Sequence, residues 1–226
     1  MNLSYEGLLE PQKEHAVKLL NSLHINGVAF DSSQTGTGKT YVAAWIAKNF
    51  NAPVVVISPK VVMSVWKKVL GAFGINAEVV INYEKLTRGN TPYYKYNRKE
   101  YDNARFWWES KGIEVKFPKN CLVIVDEVHK CKGLNSLNGE MLVALKNCGY
   151  NILVLSATAA TNVTEMKAFG FTTSLHNGAN YRNFCIKNGV TYNGFGAMVW
   201  DASLTNCQRG LRNIHNTLYE VVGVAS

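Results

Sequence analysis

Paired cysteines are missing from this sequence. The five present (Cys121, Cys131, Cys148, Cys185 and Cys207) are odd in number and include no CxxC pair or metal-ligand spacing, which argues against a disulfide framework and a zinc module. A reducing, intracellular setting, cytoplasmic or nuclear, fits better. No apolar run approaches the roughly 20 residues that a bilayer-spanning helix needs. The opening "MNLSYEGLLE" lacks the charged-then-apolar order of a signal peptide, so no membrane partner is expected. Internal repeats, low-complexity tracts and obvious linkers are also missing before about residue 158. Acidic residues are the scarcer charge: 16 Asp and Glu stand against 24 Lys and Arg, for a net +8. That excess permits a polyanionic partner without requiring one. What is present is a chain of 226 residues, 47% hydrophobic and 18% charged, long enough for one large core.

Short apolar runs rich in β-branched residues recur along it: "GVAF" (27–30), "PVVVIS" (53–58), "AEVVI" (77–81), "CLVIVDE" (121–127) and "NILVLSAT" (151–158). Runs that are apolar on both faces suit strands buried in a parallel sheet. Helical patterns separate them. In "PQKEHAVKLLNSLHING" Ala16, Leu19, Leu20 and Leu23 share one face, Pro11 suits a first helical position and Gly27 suits the stop. "TYVAAWIAKNF", "KVVMSVWKKVLGAFG" and "NGEMLVALKNCG" repeat the plan. Strands alternating with helices predict an α/β fold, a mostly parallel sheet sandwiched by helices.

Two motifs fall at strand ends. Ser33-Gln34-Thr35-Gly36-Thr37-Gly38-Lys39-Thr40 nearly meets the phosphate-loop pattern G-x-x-x-x-G-K-[ST]; only Ser33 departs, standing where Gly or Ala is usual. Gly36 and Gly38 let the backbone curl so that consecutive N–H groups and a helix N-terminus face one anion. Lys39 would reach the β- and γ-phosphates, and Thr40 would place its hydroxyl on Mg²⁺. An ordinary glycine-containing helix cap is the plain alternative. In "LVIVDEVHKCKG" (122–133), Asp126 and Glu127 end an apolar run, at the sheet edge where open α/β folds bind ligands. Asp126 would hold Mg²⁺ through its water shell, and Glu127 would orient and deprotonate an attacking water. A solvated acidic turn is the plain alternative there.

In order and placement, "SQTGTGKT", "DEVH" and "SAT" (Ser156, Ala157, Thr158) resemble the superfamily 2 helicases and translocases, the DExH or DEAD/DEAH-box-like proteins. "VISPKVVMSVW", "VVINYEKL" and "HKCKGLNS" are similar to segments of Swi/Snf-like remodellers and of viral and phage helicases, for which the setting would be a host cell. The resemblance covers roughly residues 8 to 165. It implies a RecA-like P-loop NTPase lobe spanning 1–226, with 159–226 its C-terminal part, and a second RecA-like lobe in the same or another chain. It implies ATP held by Gln34, Thr35, Gly36, Thr37, Gly38, Lys39 and Thr40, with Gln12 at the adenine. His129, Ser156 and Thr158 would couple the nucleotide to a nucleic-acid groove walled by Ser58, Pro59 and Lys60. DNA is the expected partner over RNA. Departures accompany it: Pro11-Gln12-Lys13 replaces Pro-aromatic-Gln, and Ala159 follows "SAT" where Pro is frequent. A P-loop NTPase acting on another substrate, and a non-hydrolysing interaction module, remain open alternatives.

Two stretches lie outside these motifs. From 85 to 119 nine Lys or Arg accompany four acidic residues, with aromatics interleaved. Such a stretch can follow a phosphate backbone. Tyr94, Tyr101 and Trp108, seven residues apart, predict instead an amphipathic helix docked on the sheet, with the basic residues free to face a polyanion. Further on, Asn193-Gly194 predicts a hairpin, and Leu211, Ile214 and Leu218 predict a closing helix. "QRGLRNIH" (208–215) has the letters of an arginine-finger motif at the wrong steps and reads as a surface helix.

Overall fold

The computed structural model describes residues 5–89, 91–133, 135–158 and 160–225. Ala159 and Leu134, which lie within stretches singled out above, fall outside the described residues. Helix α1 (Glu10–Asn26) leads into β1 (Val28–Asp31), α2 (Lys39–Phe50), β2 (Val54–Ser58), α3 (Met63–Ala72), β3 (Val79–Asn82) and α4 (Tyr83–Arg88). Then come β4 (Tyr94–Tyr96), α5 (Arg98–Asp102) and β5 (Ile113–Val115). Alternation resumes with β6 (Leu122–Asp126), α6 (Leu137–Asn147) and β7 (Asn151–Leu155). The chain closes through α7 (Lys167–Thr172), α8 (Tyr181–Lys187), β8 (Thr191–Tyr192), β9 (Met198–Val199) and α9 (Thr205–Asn216). Helix α1 starts with Pro11 in its first turn and stops at Gly27, whose φ of 67° is a left-handed conformation that costs a side-chain-bearing residue more.

Five strands pair in parallel in the order β1-β7-β6-β2-β3, as the apolar runs predict. Register aligns Phe30, Val154, Val125, Ile57 and Ile81 in one row across all five. The next row holds Ala29, Leu153, Ile124, Val56 and Val80. Because side chains alternate across the pleat, the two rows feed opposite faces. The second row packs with Leu19, Leu23, Trp45 and Trp66 from α1, α2 and α3. The first packs with Met141, Leu145 and Phe169 from α6 and α7, and with Ile214 from α9. Covering both faces is what leaves the strand ends as the free edge for chemistry.

The segment after α4 corrects one expectation. Tyr94, Tyr101 and Trp108 do not share a helix: Tyr94 lies in an antiparallel ribbon opposite Val115, Tyr101 lies in the short α5, and Trp108 lies in a 3-10 turn. Asn97 caps α5 by accepting from Glu100 N, and the chain leaves helical geometry at Asn103, so the seven-residue period never becomes one helix. The aromatics still pack inward: Tyr94 is buried, and Tyr96, Tyr101 and Trp107 lie against the core. All nine basic residues between Lys85 and Lys119 are exposed. Near the end of the chain β8 and β9 form the expected hairpin, turning on Asn193, whose Oδ1 accepts from Phe195 N at 3.0 Å and Ala197 N at 2.9 Å.

Candidate nucleotide site

The carboxyl ends of β1, β2, β6 and β7 bring the sequence motifs to one edge. Asp31 and Asp126 lie in the same row, both paired with Leu155. Between β1 and α2 the loop turns on two glycines with positive φ, Gly36 at 82° and Gly38 at 86°. A Cβ on Gly36 would meet open space, so its conformation alone calls for glycine. At Gly38 a Cβ would also strike Gln12 Nε2 at 2.5 Å. Gln12 donates from that nitrogen to Thr37 O at 2.8 Å while its Oε1 accepts from Leu9 N at 2.9 Å, which fastens the loop to the start of α1. Lys39 Nζ donates to Ser33 O at 2.7 Å and Gln34 O at 2.9 Å, so the ammonium sits across the loop's mouth. Thr37 Oγ1 donates to Gln34 O at 2.8 Å. Gln34, Thr35, Gly36 and Thr37 are exposed, and Thr40 lies half-buried in the first turn of α2.

A second chain of contacts starts at β6. Asp126 Oδ2 accepts from Trp66 Nε1 at 2.8 Å, and its carbonyl accepts from Tyr83 OH at 2.6 Å. Burial pushes the Asp126 carboxyl up, Glu127 adds to the rise, and the Trp66 bond and Lys39 oppose it; the net direction is upward. Glu127 follows with φ of 56°, a left-handed conformation uncommon for a residue with a side chain, and this re-aims its carboxylate. Its Oε2 lies 3.1 Å from His129 Nδ1, which is 3.4 Å from Ser156 Oγ. Ser156, fully buried, accepts from Thr158 N at 3.3 Å. The expected coupling residues His129, Ser156 and Thr158 therefore form one continuous path from Glu127.

Ser58 is buried at the end of β2, and Pro59 and Lys60 lead into a 3-10 turn where Lys60 is exposed. They stand on the same edge, one strand beyond Asp126. "QRGLRNIH" lies on α9 with Gln208, Arg209 and Arg212 exposed, as a surface helix requires. Its Gly210 has a packing reason, since a Cβ there would meet Asn188 O at 2.2 Å. Sequence reasoning missed Trp66 and Tyr83 as partners of Asp126, although both sit inside segments quoted for their resemblance. No spacing rule connects residues 60 and 43 positions from their partner. No cluster of three or more His, Cys, Asp or Glu fit to hold a metal occurs among the described residues. Mg²⁺ is ordinarily held by one or two side chains with phosphates and water, so the expectation of Thr40 and Asp126 as its holders does not call for such a cluster.

A five-stranded parallel sheet with a glycine loop after its first strand and an Asp-Glu pair at the end of its central strand defines a RecA-like α/β lobe. Comparison with known proteins points the same way. No family profile matches the chain. A protein of Acanthamoeba polyphaga mimivirus, provisionally named an ATP-dependent RNA helicase, is 30% identical over 173 residues, which is 69% of this chain and 31% of that protein. The Sulfolobus solfataricus SWI2/SNF2 ATPase core in complex with double-stranded DNA has the same fold, with a TM-score of 0.57 at 16% identity over 83% of this chain and 40% of that one. The chain thus spans well under half the length of either.

Proposed function

We propose that residues 1–226, including 159–226, are the ATP-binding first lobe of a nucleic-acid-dependent ATPase, a helicase or double-stranded DNA translocase that works with a second RecA-like lobe. One observation carries the reading: the glycine loop and the Glu127–His129–Ser156 path meet at one sheet edge. The loop fits a polyphosphate because both glycines take positive φ and Gly36 leaves its side free for a ligand oxygen. Mg-ATP, when bound, supplies the transferable phosphoryl group and the negative charge that these residues balance. Lys39 carries the compensating ammonium, and Thr40 and Asp126 are the side chains that would hold the cation. Glu127 takes the proton of the attacking water, with His129 beside it to hold its carboxylate in place. Gln12, bonded to the loop itself, would report an adenine contact to Thr37. Titrating the chain with Mg-ATP tests the reading; no saturable binding would sink it.

Nucleic acid is the proposed partner because the positive charge is concentrated. The stretch 85–119, nine basic against four acidic residues, holds five of the net +8 charges, all its basic side chains exposed. Lys60, on the site's own edge, adds to it. DNA over RNA is our reading from the remodeller-like segments, and direct competition between a DNA and an RNA duplex of one sequence decides it. Phosphate contacts predict that log affinity falls with log salt by about 0.9 for each contact. A flat profile would remove the backbone-contact account.

A further inference from the structure

The groups that hold the glycine loop from behind form a cluster of their own. Asp31 ends β1 with its side chain wholly withdrawn from water. Its Oδ1 accepts from Ser33 N at 3.0 Å and from the Ser33 hydroxyl, and faces His15 Nε2 at 3.1 Å. Burial pushes this carboxyl up, but the bonds from His15 and Ser33 outweigh it and hold it below the ordinary carboxylate range. A buried carboxylate persists only with such donors on it. Ser33 is the junction. Its nitrogen and hydroxyl face Asp31, its hydroxyl also accepts from Thr37 Oγ1 at 3.1 Å, and its carbonyl accepts from Lys39 Nζ at 2.7 Å. Ser32 beside it is bonded to the Tyr219 hydroxyl, from the segment that follows α9. That segment also reaches β1, where Phe30 pairs with Ala225. On the other side Gln12 and His15, three residues apart on one face of α1, hold Thr37 and Asp31 respectively.

We propose that Asp31, His15 and Ser33 form a positioning brace that sets the shape of the loop and the place of Lys39, and that this brace is why Ser33 stands where Gly or Ala is usual. Loss of the hydroxyl takes one donor from a buried carboxylate and removes one of the contacts of Thr37, leaving it on Gln34 O and Gln12 Nε2. The brace touches no phosphate and acts through the Ser33 backbone. Its consequence for nucleotide affinity rests on the ATP-binding reading above; its consequence for loop order does not.

Two measurements on the whole chain test it. Backbone order parameters by NMR for residues 34–37 are expected near the rigid value of about 0.85 in the parent, falling below about 0.6 in Ser33→Ala and in Asp31→Asn. Ser33→Thr, which keeps the hydroxyl, should restore rigidity. Mg-ATP affinity should fall about tenfold in Ser33→Ala and in Asp31→Asn, and by no more in the double variant, because both remove one network. A loop as ordered in Ser33→Ala as in the parent, a parent loop already below about 0.6, or fully additive losses would each overturn the brace. Should Asp31→Asn not fold, the Ser33→Ala and Ser33→Thr pair decides alone. If the parent takes no Mg-ATP, the nucleotide reading fails while the order parameters still judge the brace.

Discussion

At the scale of single residues, charge and shape separate binding from turnover. Lys39 contributes no core packing, so Lys39→Ala should abolish Mg-ATP binding with the fold intact. Calorimetric titration checks this, and unchanged affinity would take Lys39 out of the site. Glu127→Gln keeps the side chain's size but cannot accept a proton. In the proposed two-lobed form it should bind ATP as the parent does and lose about 10² to 10⁴ in turnover, the usual worth of a general base. Trp66→Phe removes the donor to Asp126 Oδ2 from a fully buried site and leaves an aromatic ring in place. Because that bond is the largest of the influences that oppose the upward push on the Asp126 carboxyl, its loss should weaken Mg-ATP binding about three- to tenfold while ATP binding in EDTA stays the same. Equal losses with and without Mg²⁺ would show that Trp66 serves only the fold.

At the scale of elements, the junction of α7 and α8 carries a pH dependence. His176 is buried among Trp107, Phe171, Tyr181 and Phe184. Its Nε2 lies 3.2 Å from Met166 O, and its Nδ1 accepts from Gly178 N at 3.2 Å, so the neutral ring satisfies both neighbours. Burial lowers its pKa to about 4 from 6.5, with the carbonyl bonds opposing. A depressed folded-state pKa gives stability that is complete above about pH 6.5 and is lost as pH falls toward about 4. The full difference corresponds to about 3 kcal/mol, roughly 2 of it gone by pH 5. Urea midpoints for the parent should therefore fall between pH 7.5 and pH 5 by more than those of His176→Gln, which cannot titrate. Parallel pH profiles for the two would refute this. The segment between α4 and β6 is fastened nearby: Asn147 Nδ2, at the end of α6, donates to Trp108 O at 2.7 Å, and Tyr150 OH, just before β7, donates to Phe117 O at 3.1 Å.

At the scale of the molecule, the proposed function puts the nucleotide on one edge of the sheet, and turnover would then call for a second surface against it. An arginine finger can be worth about 10³ to 10⁵ in phosphoryl transfer. Arg182 lies over the Tyr192 ring at 4.9 Å, and Arg209 and Arg212 are exposed on α9. Residues 1–226 alone should bind ATP weakly, hydrolyse it very slowly and separate no strands, and adding a second lobe should raise DNA-stimulated turnover by orders of magnitude. Steady-state ATPase assays with and without that lobe measure it. Robust stimulated hydrolysis from a verified monomer would place a finger within these residues, and Arg182, Arg209 and Arg212 would be the first to substitute.

The sequence by itself determined the five parallel strands, the helices between them and the motifs at their ends. These rest on local physics: runs such as Val54–Ser58 and Leu122–Asp126 are apolar on both faces and can only be interior strands, and Gly36 and Gly38 mark where φ must turn positive. Only the tertiary structure decided the register that sets Asp31 beside Leu155 and Leu155 beside Asp126, the Trp66 and Tyr83 bonds to Asp126, and the Ser32 bond to Tyr219 across 187 positions. It also decided that Tyr94 is a ribbon residue, because pairing with Val115 overrides a seven-residue period too short to nucleate a helix. Ser33 shows the division most plainly. In the sequence it is a departure from a pattern, and in the folded chain it is the donor to a buried carboxylate two residues away. A partner's burial is a property of the whole packed sheet, and no local pattern encodes it.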